Sequence, residues 1–115
     1  MKSNLVMPPN VEFIKEAEDD FNRLDGSIKF QVAKGIKKVS NNPLPYTEGG
    51  YGMPLGNKNG NDLSGYNKIK FAGIGVRCVY QCVYDEKVKM KIIIISMRAD
   101  NEVYDEAAKR IEKYK

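Results

Sequence analysis

The spacing of apolar residues changes near Gly65, and this change constrains the fold most. Before Gly65, apolar residues recur every three or four positions, which is typical of helices that bury one face. From residue 66 to residue 96, apolar and polar residues alternate, which is typical of strands. Helices followed by strands favour the α+β class. The length of 115 residues predicts a single domain over residues 1–115.

The helical half predicts an antiparallel helical hairpin after a short strand at residues 3–7. The first helix starts at residues 8–10 and ends at Asp25 and Gly26. Ser27 is the predicted N-cap of the second helix, which stops before Pro43. The two buried stripes are Ile14, Ala17, Phe21 and Leu24, and then Ile28, Val32, Ile36 and Val39.

The second half predicts three strands and a last helix. Residues 66–72, 76–84 and 88–96 are joined by short turns, so we expect an antiparallel meander. Asp100 is the predicted cap of a helix over residues 101–113. The expected order is therefore β-α-α-β-β-β-α, with the helices on one side of a small antiparallel sheet.

Composition removes several classes of chemistry. The chain has no histidine, which excludes Ser-His and Cys-His nucleophile pairs and His-ligated zinc. Cys78 and Cys82 lie on one predicted strand about 13 Å apart, too far for a disulfide, and free thiols favour the cytoplasm. We find no signal peptide and no apolar run of membrane-spanning length, so we expect no membrane partner.

The net charge of +4 is concentrated in the middle of the chain. Residues 41–98 carry eight basic and four acidic side chains. Lys68 and Lys70 project from one face of a strand, and a hairpin turn at residues 72–75 would place Arg77 opposite Lys70. Like charges in such a position repel each other, which favours a site for an anion. The alternative is an ordinary set of solvated cations on an exposed sheet face.

A long segment rich in Gly, Asn and Pro, at residues 42–65, precedes these strands. Loops of this length in small domains are usually functional or mobile, although a merely tolerated loop is equally compatible with the sequence. We expect four apolar residues to attach it to the core: Leu44, Met53, Leu55 and Leu63.

The residue types near these strands fit the cleavage of RNA by its own 2′-hydroxyl group, without metal or cofactor. That reaction needs a base, cations for the developing phosphorane charge and an acid for the leaving oxygen. A lysine between other cations can act as the base, and arginine can contact a phosphate through two donors. Arg98 would extend the cluster and Tyr104 would overhang it. We call Lys68, Lys70, Arg77 and Arg98 the cationic cluster.

These residues also carry a resemblance to a known family. The segments YNKIKFAGIGVRCVYQCV and IIIISMRADNEVYDEAAKRI resemble the RelE toxins of the bacterial RelE/ParE superfamily. The helical hairpin, a G-x-P-L loop at residues 52–55, the K-I-K strand, the G-x-R-x-V-Y strand and the R…E-V-Y helix start occur in the family's order.

The resemblance implies the toxin of a type II toxin–antitoxin pair, which cuts messenger RNA in the ribosomal A site without metal. It implies catalytic and RNA-binding roles for the cationic cluster, with Arg77 on the transition state and Arg98 near the leaving group. Tyr104 matches a tyrosine that stacks on the substrate base. The implied partners are an antitoxin, the ribosome and messenger RNA. The expected antitoxin-docking residues on the last helix are Ala107, Ala108 and Ile111.

The chain departs from the family pattern in its sequence at two places, and two other functions remain open. Met97 stands where relatives often carry a basic residue, and the loop at residues 46–64 is longer than in compact members. The first alternative is a ParE-like toxin that poisons DNA gyrase, although that branch of the fold lacks the full set of cations and tyrosine. The second alternative is an inactive superfamily member that acts only through protein binding.

Overall fold

The structure, a computed structural model, describes residues 6–115, which contain three α-helices, a five-stranded sheet and a small separate hairpin. The helices are α1 (Lys15–Asn22), α2 (Gly26–Ser40) and α3 (Asp100–Lys113). The strands are β1 (Val11–Phe13), β2 (Met53–Pro54), β3 (Asn57–Lys58), β4 (Asn61–Asp62), β5 (Tyr66–Phe71), β6 (Val76–Tyr84) and β7 (Val88–Ser96). The large sheet has the order β1-β7-β6-β5-β2, and β3 pairs with β4. The α+β class is confirmed.

The meander of β5, β6 and β7 confirms the predicted strands. The bounds of β6 and β7 match the prediction, and both pairings are antiparallel. Lys70 pairs with Arg77 and Phe71 with Val76, which is the predicted register. The alternating sequence determined this register because a slip by one residue would move every buried side chain to the opposite face.

The edge of the sheet differs from the prediction, because β1 is parallel to β7 and the sheet is therefore mixed. Residues 11–13, which we had predicted as the start of the first helix, form this strand, and α1 begins only at Lys15. The prediction was wrong because β1 is three residues long and is defined by a partner distant in sequence. Of the predicted strand at residues 3–7, the first three residues lie outside the described range, and Val6 and Met7 belong to no strand.

The helices cover both faces of the sheet, which corrects the expectation of helices on one side. Lys68 and Phe71 point to opposite faces of β5 because they are three positions apart. Lys68 contacts Tyr104 of α3, whereas a methyl group at Gly35 of α2 would lie 2.2 Å from Cε1 of Phe71. The sheet thus lies between α2 and α3. Four consecutive residues in the centre of β7, Ile92–Ile95, are accordingly all buried.

The predicted helix caps also need correction. Asp25, not Ser27, precedes α2, and neither it nor Ala99 before α3 makes a capping hydrogen bond through its side chain. Asp100 is the first residue of α3 rather than its cap, and its carboxylate accepts a hydrogen bond from Arg77. This contact ties the start of α3 to the first residues of β6, the central strand of the sheet.

The segment before β5 is ordered by two short pairings. β2 pairs with β5 and so extends the sheet, with Met53 opposite Lys68. The turn between β3 and β4 is formed by Asn59 and Gly60, both of which have positive φ, as a type I′ turn requires. Leu63 is fully buried, as expected, but Met53 is exposed.

Candidate functional site

The cationic cluster lies where β5 and β6 run side by side under the start of α3. Lys70 and Arg77 are directly opposite each other, and Lys68 is two positions further along the same face of β5. Arg77 is in turn opposite Ser96, the last residue of β7. Arg98 follows two residues after Ser96, so the turn into α3 brings it to the same end of the sheet.

Lys68 is held by α3. Its Nζ donates a hydrogen bond to the hydroxyl of Tyr104 at 3.2 Å and lies 5.9 Å from the centre of the ring. The lysine is partly buried, and Met53 of β2 is its neighbour on the other side. The amine of Lys68 therefore has a fixed position, which a long lysine side chain on an open surface does not have.

Tyr104 differs from the role that the resemblance implied. It is only 4% exposed and belongs to the core, so no face of its ring is open for a base to stack on. The sequence contained a signal for this burial. Tyr104 precedes Ala107, Ala108 and Ile111 at helical spacing, so it belongs to the same apolar stripe. Its hydroxyl is the part that reaches the cationic cluster.

Arg77 is bound on two of its three nitrogens. Its Nε donates to Oδ1 of Asp100. Its Nη1 donates to the carbonyl oxygen of Arg98 at 3.0 Å and lies 3.4 Å from that of Gly75. The arginine is 21% exposed and Asp100 is 41% exposed, so the ion pair is at the edge of the solvent. Sequence reasoning missed Asp100 as a site residue because its position at a helix start indicated a cap.

Lys70 and Arg98 are the accessible members of the cluster. Both are exposed, and within residues 6–115 neither side chain has a hydrogen bond or an ion pair. Arg98 also borders a cleft of about 450 Å³ between α1, the end of β7 and α3. These two cations are free to meet an anionic ligand from solvent.

The β3–β4 hairpin forms a wall beside α3. Asn61 donates to Oδ1 of Asp105 at 2.7 Å, and Asn59 donates to the same carboxylate at 3.1 Å. Asp105 follows Tyr104 in α3, so the hairpin is fastened next to the Lys68–Tyr104 contact. The dipeptide Asn59-Gly60 was the sequence signal for this hairpin.

The docking residues expected on α3 are less accessible than the sequence indicated. Ala107 is fully buried, and Ala108 and Ile111 are partly buried against the core. The apolar stripe of α3 packs on the chain's own sheet, because the helix has to cover that face.

Residues 6–115 contain no group of three or more Cys, Asp or Glu side chains placed to hold a metal ion. They also contain no helix that is long and apolar enough to cross a membrane.

Comparison with known proteins places the chain in a family. No family model matches it. It is, however, 33% identical over 101 residues to the mRNA interferase toxin RelE of Escherichia coli K12, an alignment that covers 88% of this chain and 95% of the relative. The chain belongs to the RelE toxin family. The RelE protein of Shigella flexneri, named an mRNA interferase, matches to the same extent.

Solved RelE structures have the same fold. The isolated E. coli RelE toxin superposes with a TM-score of 0.61 at 29% identity, covering 88% of this chain and 96% of that one. RelE in the intact E. coli RelBE toxin–antitoxin complex gives a TM-score of 0.57 at 26% identity, covering 77% and 95%. The α+β architecture described above is thus the RelE architecture.

Proposed function

We propose that this protein is the toxin of a RelBE-type toxin–antitoxin system and cleaves messenger RNA in the ribosomal A site without metal. The observation that carries the proposal is the pairing of Lys70 with Arg77, with Lys68 and Arg98 beside them, on one end of the sheet. The RelE relatives are named mRNA interferases, which gives the substrate class.

The chemistry begins at the 2′-hydroxyl of the nucleotide before the cut. Lys70 is exposed, lies opposite Arg77 and two residues from Lys68, and has no competing partner within residues 6–115, so we assign it as the general base. Lys70 takes the proton of the 2′-hydroxyl, the 2′-oxygen attacks phosphorus, and the bond to the 5′-oxygen of the next nucleotide breaks as that oxygen takes a proton from solvent water. The products are then a 2′,3′-cyclic phosphate and a free 5′-hydroxyl.

The other cations stabilise charge in this scheme. Arg77, which Asp100 and two carbonyl groups hold in the free protein, faces the phosphorane oxygens. Arg98, past the end of β7, meets the leaving oxygen. Lys68 supplies a third positive charge, and its position is fixed by the Tyr104 hydroxyl. Tyr104 thereby acts through Lys68 and not by stacking on a base.

The partners follow from the same proposal. A cognate antitoxin would bind this chain, as RelB binds RelE in the E. coli complex. The exposed parts of Ala108 and Ile111 remain the expected contact on α3, whereas Ala107 belongs to the core. The ribosome and messenger RNA would be met in the cytoplasm, where the free thiols of Cys78 and Cys82 are stable.

The test is induced expression in bacteria followed by primer extension on an abundant messenger. Wild type should arrest growth and produce new 5′ ends inside translated codons, and these ends should vanish when initiation of translation is blocked. Arg77→Ala should abolish both effects. Lys34→Ala removes the same charge from an exposed position of α2, behind the opposite face of the sheet, and should behave as wild type.

One set of observations favours a second candidate, an inactive member that works through protein binding alone. Tyr104 is buried, Arg77 is paired with an acid and Lys68 donates a hydrogen bond to Tyr104, so three of the five implied catalytic groups are engaged by the protein itself. Expression without growth arrest or RNA ends would support this candidate. Growth arrest with DNA damage and intact messengers would instead indicate a gyrase poison.

A further inference from the structure

Arg77 presents its donors in an unequal way. Nε is bound to the Asp100 carboxylate and Nη1 to backbone carbonyl oxygens, while Nη2 has no hydrogen-bond acceptor within residues 6–115. A phosphate that binds arginine with two hydrogen bonds needs two neighbouring nitrogens along one edge of the guanidinium group. Nη2 shares one edge with Nε, which Asp100 binds, and the other edge with Nη1, which the backbone carbonyl groups bind.

The two occupied nitrogens differ in how readily they can be released. The carbonyl groups of Gly75 and Arg98 belong to the backbone, at the turn before β6 and at the turn before α3. The Asp100 carboxylate, in contrast, is at the end of a side chain that is 41% exposed. Rotation of this side chain into solvent frees the edge formed by Nε and Nη2 without any movement of the backbone.

We propose that Asp100 is a positioning residue that competes with the RNA phosphate for this edge of Arg77. In the free protein the carboxylate orients the arginine and cancels part of its charge. RNA has to displace the carboxylate before Arg77 makes its two-donor contact. This inference rests on the proposed function, because it takes the anion to be an RNA phosphate.

The position of Asp100 gives the inference a distinctive signature. As the first residue of α3, its negative charge favours the helix dipole, so Asp100→Asn should slightly lower thermal stability. The same substitution should strengthen RNA binding, because the competitor for Arg77 loses its charge. Substitution of a residue with a purely structural role would lower thermal stability without strengthening RNA binding.

The experiment measures binding of a single-stranded 12-mer RNA to the full chain by fluorescence anisotropy, at low and at physiological salt. Asp100→Asn should bind about two- to fivefold tighter than wild type, the range expected for a partly exposed ion pair, and less so in high salt. Glu102→Gln is the matched control. It removes the same charge from the same first turn of α3 but is exposed and does not contact Arg77.

The gain must also depend on the arginine. In protein that carries Arg77→Ala, Asp100→Asn should raise the RNA affinity by no more than Glu102→Gln does. The inference is overturned if Asp100→Asn binds no tighter than Glu102→Gln, if the gain survives without Arg77, or if no variant binds RNA. Because binding is measured without ribosomes, tighter binding by Asp100→Asn together with uncut messenger would contradict the proposed function and leave this inference standing.

Discussion

Two arginine–aspartate pairs join α3 to the rest of the molecule, and they differ in how deeply they are buried. Arg110 binds Asp20 of α1 at 2.7 Å, with side-chain exposures of 12% and 6%. Arg77 of β6 binds Asp100, with exposures of 21% and 41%. The same two residue types thus form one pair inside the protein and one pair at its surface, at opposite ends of one helix.

The buried pair is part of a closed network. Asp20 also accepts hydrogen bonds from Arg23 and from the backbone N–H of Ile95, and Arg110 also donates to Glu106 and to the carbonyl of Ile93. Arg77, in contrast, retains one nitrogen without an acceptor among the described residues. A satisfied buried pair holds the fold, whereas a partly satisfied pair at the surface is available for exchange with a ligand.

The largest expected effect is the loss of protein stability when the buried pair is broken. Asp20→Ala leaves the buried Arg110 charge with Glu106 as its only acidic partner among the described residues and removes the acceptor of the buried Ile95 N–H, so it should cost about 3–5 kcal/mol of unfolding free energy. Asp100→Ala should cost less than about 1 kcal/mol, because its pair is partly exposed. Urea denaturation of both variants measures the difference. Equal losses would show that burial does not separate the two pairs.

The second largest effect is the loss of RNA cleavage when Arg77 of the exposed pair is removed. Arg77→Ala should lower the cleavage rate by about 100-fold or more, the usual result of removing a group that stabilises transition-state charge. Its melting temperature should change far less than that of Asp20→Ala. A variant that keeps full cleavage would remove Arg77 from the site.

A smaller effect separates the hydroxyl of Tyr104 from its ring. Tyr104→Phe keeps the buried ring but removes the hydrogen bond with Lys68, so we expect a loss of about 1 kcal/mol in stability and roughly a five- to tenfold slower cleavage. Circular dichroism and a single-turnover assay measure the two quantities. Wild-type cleavage by Tyr104→Phe would contradict a role through Lys68.

The smallest effect is the pH dependence of a second contact between α1 and α3. Glu16 accepts hydrogen bonds from Lys113 and Tyr114, which lower the pKa of its carboxyl from 4.5 to about 2. A lowered pKa means that the stabilisation is complete above pH 4.5 and is lost as the pH falls toward 2. Glu16→Gln should flatten the stability curve in this range alone. An identical curve for both proteins would show that the contact is absent in solution.

The sequence predicted the central strands well because their signal is local. The alternation in residues 76–84 and 88–96 gave β6 and β7 their observed bounds, and the short hairpin placed Lys70 opposite Arg77. The three-residue strand β1 was not predictable in this way, since the strand with which it pairs, β7, lies more than 70 residues further along the chain.

The sequence predicted that Lys70 lies opposite Arg77, but it did not predict which side chains those cations contact. Side-chain pairs such as Arg77–Asp100 depend on how α3 crosses the sheet, which no local pattern encodes. The helical spacing of Tyr104 to Ala107 and Ile111 indicates that Tyr104 is buried. We instead expected an exposed ring because the family resemblance implied stacking on a base. What the structure adds to the sequence is the burial of the Tyr104 ring and the pairing of Arg77 with Asp100.

The most direct test of the account is cleavage of a defined messenger on purified, programmed ribosomes by wild type and by Arg77→Ala, without added antitoxin. The account predicts that wild type cuts within the A-site codon and leaves a 2′,3′-cyclic phosphate and a 5′-hydroxyl, while folded Arg77→Ala leaves the messenger intact. Equal cutting by both proteins, or none by wild type, would contradict it.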